Sequence, residues 1–208
     1  MNTKTYFDNA ADTWDTKYLT PSLHSFLEKL VPQFNITTGQ AVLDVGTGTG
    51  VLIPYLVKAV GPSGSVTAID LSEKMVQACK AKYANVKNVE IKVGNIEDTA
   101  FPPETFDAVT CFAVFPHLEN KEKALKNSIS MLKRGGKLVI AHALSSEELK
   151  AHHKKVSKHM EHAALPEHED MIRLVEQAGF VNVQIRDEPG CYLCTARKPN
   201  TSSGSFSF

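Results

Sequence analysis

The sequence has no excess of either charge. Lys+Arg and Asp+Glu both number 23, so nothing in the balance would neutralise a phosphate backbone, and a nucleic-acid substrate is not expected. It has no apolar run of membrane-spanning length, so no membrane partner is expected. Its first residues, MNTKTYFDNAADTWD, mix polar and acidic side chains where a signal peptide would need a continuous apolar stretch. A cytoplasmic location is the expectation. Cysteine is sparse: Cys79, Cys111, Cys191 and Cys194 form neither a disulfide framework nor two close pairs of zinc spacing. Cys191 and Cys194 do make a CxxC, but CYLCTARK alternates as a strand does, which puts the two sulfurs on opposite faces and favours packing over redox work.

What is present has the length of one α/β domain. AVLDV leads into glycines and a helical stretch from Val51 to Val60. SVTAID precedes a helix from Ser72 to Tyr83. VEIKV, then FDAVTCFAV with a helix from Lys121 to Leu132, then KLVIAHAL after Arg134-Gly135-Gly136, continue the alternation. Strands alternating with helices pair in parallel through crossovers. Ser72, followed by Glu73, gives the second helix a capping hydroxyl and an acidic first turn. Helices from Ser145 to His162 and Glu167 to Ala178 follow. FVNVQIRDE and CYLCTARK then flank Pro189-Gly190 as a hairpin whose last strand runs antiparallel. The fold expected is a Rossmann-like three-layer α/β sandwich on a mostly parallel seven-stranded sheet. Its divisions would be a helical lid or cap over 1–38, holding one amphipathic helix that starts at Thr20-Pro21, a domain over 39–198, and a disordered Ser-rich tail over 199–208.

Chemistry gathers where the first strand meets its helix. In DVGTGTG, glycines 46, 48 and 50 let the backbone approach a ligand at the helix N-terminus. Asp70 ends the second strand about 20 residues later, where a carboxylate accepts hydrogen bonds from a ribose diol. Loop and acid agree on a nucleoside. The spacing is GxGxG, not the dinucleotide GxGxxG, and Asp44 would repel a pyrophosphate, so a cationic, phosphate-free ligand fits better than NAD.

VLDVGTGTG, AIDLS, VGNIED, FDAVTCFAVFPHL and LKRGGKLVI resemble the successive motifs of class I S-adenosylmethionine-dependent methyltransferases. The likeness spans about residues 40 to 198 and is strongest to the small-molecule branch that includes ubiquinone and menaquinone methyltransferases. It implies a site for S-adenosylmethionine: Gly46, Thr47, Gly48 and Gly50 under the methionine moiety, Asp44 near its ammonium, Asp70 on the ribose, and Leu71 and Ile96 against the adenine. Asn95 stands where many members carry an acid to meet the adenine amino group. Phe112, Ala113 and His117 fall in the motif that often lines the methyl-acceptor pocket. The partner implied is a small-molecule acceptor, served by a monomer or homodimer.

Six of the 8 histidines lie beyond residue 141: His142, His152, His153, His159, His162 and His168. His142 ends the fifth strand, so His117 and His142 are the candidate catalytic residues at one crevice. Trp14, as part of a lid, and His152 or His153, from the following helix, are the candidates for its walls. Imidazoles suit a general base, a substrate anchor or a metal, for which His142, His152 and His153 are the candidates. Against function, His152 to His168 sit among Lys150, Lys154, Lys155 and Lys158, as on a solvated face. Besides methyl transfer, two other readings stand: a metal- or ligand-binding protein of methyltransferase fold, and an NAD-dependent oxidoreductase.

Overall fold

A computed structural model of the chain describes residues 2–156 and 163–200. Seven strands form one sheet: β1 (Ala41–Val45), β2 (Ser65–Asp70), β3 (Val89–Val93), β4 (Phe106–Phe112), β5 (Leu132–His142), β6 (Val181–Glu188) and β7 (Cys191–Arg197). The order is β3-β2-β1-β4-β5-β7-β6. The first five pair in parallel, while β7 runs antiparallel to both β5 and β6. Pro189 and Gly190 make the turn between β6 and β7, with Gly190 at φ 78°. Sequence order reverses between β1 and β4, so the carboxyl ends of these strands open a crevice there.

The helices between strands follow local signals. They are α3 (Ile53–Val60), α4 (Glu73–Tyr83), α5 (Lys121–Met131), α6 (Ser146–Val156) and α7 (His168–Gln177). Ser72 Oγ accepts from the Met75 amide at 3.1 Å, the cap its sequence promised. Gly179, at φ +100°, ends the segment after α7. One face of the sheet packs Val109, Leu138 and Ile140 against Leu125 of α5 and Met171 and Val175 of α7. The other packs Val42 and Val139 against Leu52, Leu56 and Val60. Cys194 belongs to the first face and Cys191 to the second, and all four cysteines are free and buried.

The segment before Gly39 departs from expectation. It holds two α-helices, α1 (Thr3–Tyr18) and α2 (Pro21–Leu30), with a 3-10 turn at Val31–Phe34. The second starts on Thr20 as read, and its Leu27 and Leu30 are buried on the sheet, each contributing about 1.5 to 3 kcal/mol. The first was not legible, because only Ala11 of α1 is buried and its aromatic residues face the crevice instead of the sheet. An apolar stripe that meets a cleft is sparser than one that meets a core. Asn2 Oδ1 accepts from the Thr5 amide at 2.9 Å and starts it. His159, His162 and residues 201–208 of the expected tail lie outside the described residues. Among the described residues no helix is long and apolar enough to cross a membrane.

Candidate active site

Beyond the carboxyl ends of β1, β2, β4 and β5 lies a cleft of about 740 Å³, roofed by α1. Its floor begins where β1 turns into the glycine loop. Gly46 and Gly48 take φ of 66° and 56°, left-handed values that favour glycine. A Cβ on Gly46 would fall 2.2 Å from Val114 Cγ2, so the loop touches the segment after β4. Ala113 there is itself left-handed, at φ 56°, a strained value for alanine that turns the chain out of β4.

Asp70 is held from both sides. Its Oδ2 accepts from the Gly48 amide at 2.8 Å and its Oδ1 from the Ser72 amide at 2.8 Å. Each oxygen keeps a lone pair for a ligand hydroxyl. The residue is 8% exposed and lines the cleft. Burial raises its pKa and the two amides oppose the rise.

Two residues expected at the cofactor do not reach the cleft. Asp44 is 2% exposed beneath the loop, where Oδ1 accepts from Thr110 Oγ1 at 2.9 Å on the neighbouring strand. Burial pushes its pKa to about 6, against the hydroxyls of Thr47 and Thr110, which lower it. Thr47 lies close but outside hydrogen-bond geometry, so Asp44 Oδ2 and Thr47 Oγ1 have no partner. Thr47 does line the cleft. Gly50 faces the other way: a Cβ there would meet Tyr83 Cε2 at 2.6 Å and Cys79 Sγ at 2.9 Å. The third glycine therefore serves close packing of the loop on α4. Gly50→Ala is expected to cost roughly 1 to 3 kcal/mol, because φ of 92° and the lost clearance act together. Thermal melting checks this, and a fall of only a degree or so would show that Tyr83 yields freely.

Leu71, Asn95, Ile96 and Phe112 line the cleft as expected. The Asn95 carbonyl is already engaged, accepting from the Glu97 amide at 2.9 Å. Glu97, which sequence reading passed over, is buried, lines the cleft and accepts from the Glu119 amide at 2.9 Å. A carboxylate at the end of VGNIED was the available signal.

On the β4–β5 side of the crevice the histidines converge. His117 comes from a 3-10 turn at Phe115–His117, His142 from the end of β5, and His153 from α6. The rings of His117 and His153 lie 5.1 Å apart, and Phe7 of α1 meets His117 edge-on at 5.4 Å. His117 Nδ1 and His142 Nε2 are buried without a partner. Burial first, and neighbouring imidazoles second, lower the pKa of each to about 3. His153 is buried too, with Nδ1 on the Ala163 carbonyl. His152 is exposed at the cleft rim, while exposed His168 begins α7 and does not line it. Among the described residues no three potential ligands are arranged to hold a metal ion. Trp14 lines the roof, its Nε1 3.9 Å from the Cβ position of Gly48. The roof is pinned by two acids of α1. Asp8 accepts from Ser72 Oγ at 2.6 Å, and Asp15 accepts from the Thr49 hydroxyl and from Lys82 Nζ at 2.8 Å.

Comparisons with known proteins bear on the family of the chain. A methyltransferase domain family matches residues 43–140. A demethylmenaquinone methyltransferase of Staphylococcus aureus is 30% identical over 185 residues, covering 78% of this chain and 77% of the relative. A crystal structure of an S-adenosylmethionine-dependent methyltransferase from Aquifex aeolicus superposes with a TM-score of 0.74 at 28% identity, over 91% of this chain and 97% of that one. At 17% identity, a Haemonchus contortus phosphoethanolamine N-methyltransferase in complex with S-adenosyl-L-methionine shares the fold, with a TM-score of 0.75 over 95% of this chain and 58% of that one. The oxidoreductase reading and the non-enzymatic one fall away, and the chain belongs to the class I S-adenosylmethionine-dependent methyltransferases.

Proposed function

We propose that this methyltransferase acts on a small, largely apolar acceptor that presents a hydroxyl, or a ring carbon activated by one, to His117, His142 and His153. The observation that supports this reading is the convergence of three buried imidazoles, two with unpartnered ring nitrogens, on one side of the cleft. Asp70, on β2, stands across the switch point from them.

The cleft's residues fit the methyl donor. The anchored carboxylate of Asp70 would take the ribose hydroxyls, the amides and the Thr47 hydroxyl of the glycine loop the methionine end, and Leu71 and Ile96 the two faces of the adenine. Asn95 Nδ2 can reach a ring nitrogen, and Phe112 closes the floor. Once bound, the donor supplies a sulfonium methyl that a nucleophile displaces in line. The protein's part is then chiefly positioning.

The imidazoles of His117 and His142 are neutral at pH 7, since burial lowers their pKa to about 3, and burial lowers that of His153 as well. So weak a base does not strip a proton from a hydroxyl; it accepts a hydrogen bond and orients the acceptor. Lys4, a cation on the lining, is engaged by Asp8 and Glu73, and beside His117 the cleft presents aromatic and imidazole rings to an uncharged molecule. Phe7, Trp14 and Tyr18 of α1 would exclude water, giving residues 1–38 the role of a cap. The relative named for demethylmenaquinone makes its reduced ring the first acceptor to assay.

His142→Ala is expected to lower turnover of reduced demethylmenaquinone by about tenfold to a hundredfold, the cost of one buried hydrogen bond. Affinity for S-adenosylhomocysteine, measured by calorimetry, should stay within a factor of about two. Normal turnover in this variant would sink the acceptor site.

A further inference from the structure

α5 opens on a residue that its own geometry disfavours. Lys121 is the first residue of the helix, where the backbone dipole already carries positive character. It makes no ion pair among the described residues, and burial lowers its pKa against the charges of Glu122 and Glu97, which raise it. Its compensation lies upstream. Lys121 Nζ donates to the Pro116 carbonyl at 3.2 Å and the Leu118 carbonyl at 2.9 Å, the two that flank His117. Carbonyls at the end of a single 3-10 turn have no following helical amides to satisfy them, so an ammonium there fixes the turn. The same helix holds the loop after β3, because Asn127 Nδ2 donates to the Ile96 and Glu97 carbonyls at 2.8 and 2.9 Å. Glu97 in turn accepts the Glu119 amide at 2.9 Å. One helix thus sets both the donor loop and the turn that carries His117.

We infer that Lys121 is a positioning residue for methyl transfer: by tying the carbonyls on either side of His117 it fixes that imidazole where the acceptor must lie. The inference rests on the reading that His117 meets the acceptor. A cation at a helix start departs from the usual placement of charge, and the two carbonyls beside His117 are what hold it there. The Lys121 charge also disfavours a protonated ring. After burial and the facing His153, it is the next cause lowering the His117 pKa.

The test is Lys121→Met, which keeps the stem and removes the ammonium. Three measurements are made beside wild type at pH 7.5: calorimetry with S-adenosylhomocysteine, the NMR signals of the His117 imidazole with those of His24 on α2 as control, and kinetics with reduced demethylmenaquinone. Affinity for the nucleoside should hold within about twofold, because Asn127 still secures its loop. The His117 ring signals should shift while those of His24 hold still, and kcat/KM for the acceptor should fall about tenfold, with Lys121→Arg recovering most of it. A merely structural lysine would leave kcat/KM for the acceptor unchanged in a folded variant. Unshifted His117 signals in Lys121→Met overturn the inference, whatever the kinetics. If the methionine variant fails to fold, Lys121→Gln, which can still reach one carbonyl without charge, supplies the same comparison. The two readings fail separately. Normal turnover in both His142→Ala and Lys121→Met removes the acceptor site, whereas a lost His142→Ala activity beside an unaffected Lys121→Met removes only the role given to Lys121.

Discussion

Replacing Asp70 with alanine is expected to weaken S-adenosylmethionine binding by about two orders of magnitude or more. The carboxylate would accept two ribose hydroxyls, and a hydrogen bond to a charged group is worth roughly 1.5 to 3 kcal/mol. Its geometry is set before any ligand arrives, because both oxygens are already fixed by the Gly48 and Ser72 amides. The alanine variant therefore loses more than a ligand contact, since two amides at the loop and at the start of α4 are left without an acceptor. Asp70→Asn separates the effects: it keeps an acceptor for one amide and loses the charge, so it should be the more stable of the two while still binding weakly. Calorimetry against S-adenosylhomocysteine, with melting temperatures as the control, reads both. Affinity within a factor of three of wild type in Asp70→Ala would remove this residue from the cofactor site.

Acid is expected to unfold this protein through its acceptor side. His117 and His142 have folded pKa values of about 3, below the ordinary value of 6.5. Between those limits the unfolded chain binds more protons than the native one. Stability is thus complete above about pH 6.5 and is lost as pH falls toward 3. At pH 5 each neutral, buried imidazole costs on the order of 2 kcal/mol relative to pH 7.5. Asp44 runs the other way. Its pKa, raised to about 6, penalises the fold above pH 6 and releases that penalty as pH falls toward 4, which offsets part of the loss. From these three groups the expectation for chemical denaturation is a fall of about 2 to 3 kcal/mol between pH 7.5 and pH 5. His142→Gln, which carries no titrating ring, should roughly halve the histidine share. A flat profile in the wild type would mean that these imidazoles are solvated in solution.

The elements of the sheet were legible because each is written within a few residues. The short strand segments SVTAID and VEIKV, the hydroxyl of Ser72 before α4, and Pro189-Gly190 between the last two strands act through backbone conformation within a few residues, and the structure places each where it was read. The places of Asp70 and the loop glycines were legible too, since a strand end, a tight turn and a helix start are each set within a few residues. α1 was not, because its aromatic residues face a cleft and the usual density of apolar positions is missing.

By itself, then, the sequence determined the alternating α/β architecture, the acid at the end of β2 and the glycine loop, all through signals written close together in the chain. Only the tertiary structure decided what those residues face. It turned Asp44 under the loop toward Thr110, set Gly50 against Tyr83 and Cys79, and left Thr47 on the cleft wall. It alone brought His117, His142 and His153 to one place, set a lysine from the start of α5 beneath His117, and laid Phe7 edge-on to it. These contacts join residues from different crossovers. Their distances follow from strand order and helix packing, which local propensity does not encode, and the desolvation that keeps the imidazoles neutral exists only once those layers have closed around them.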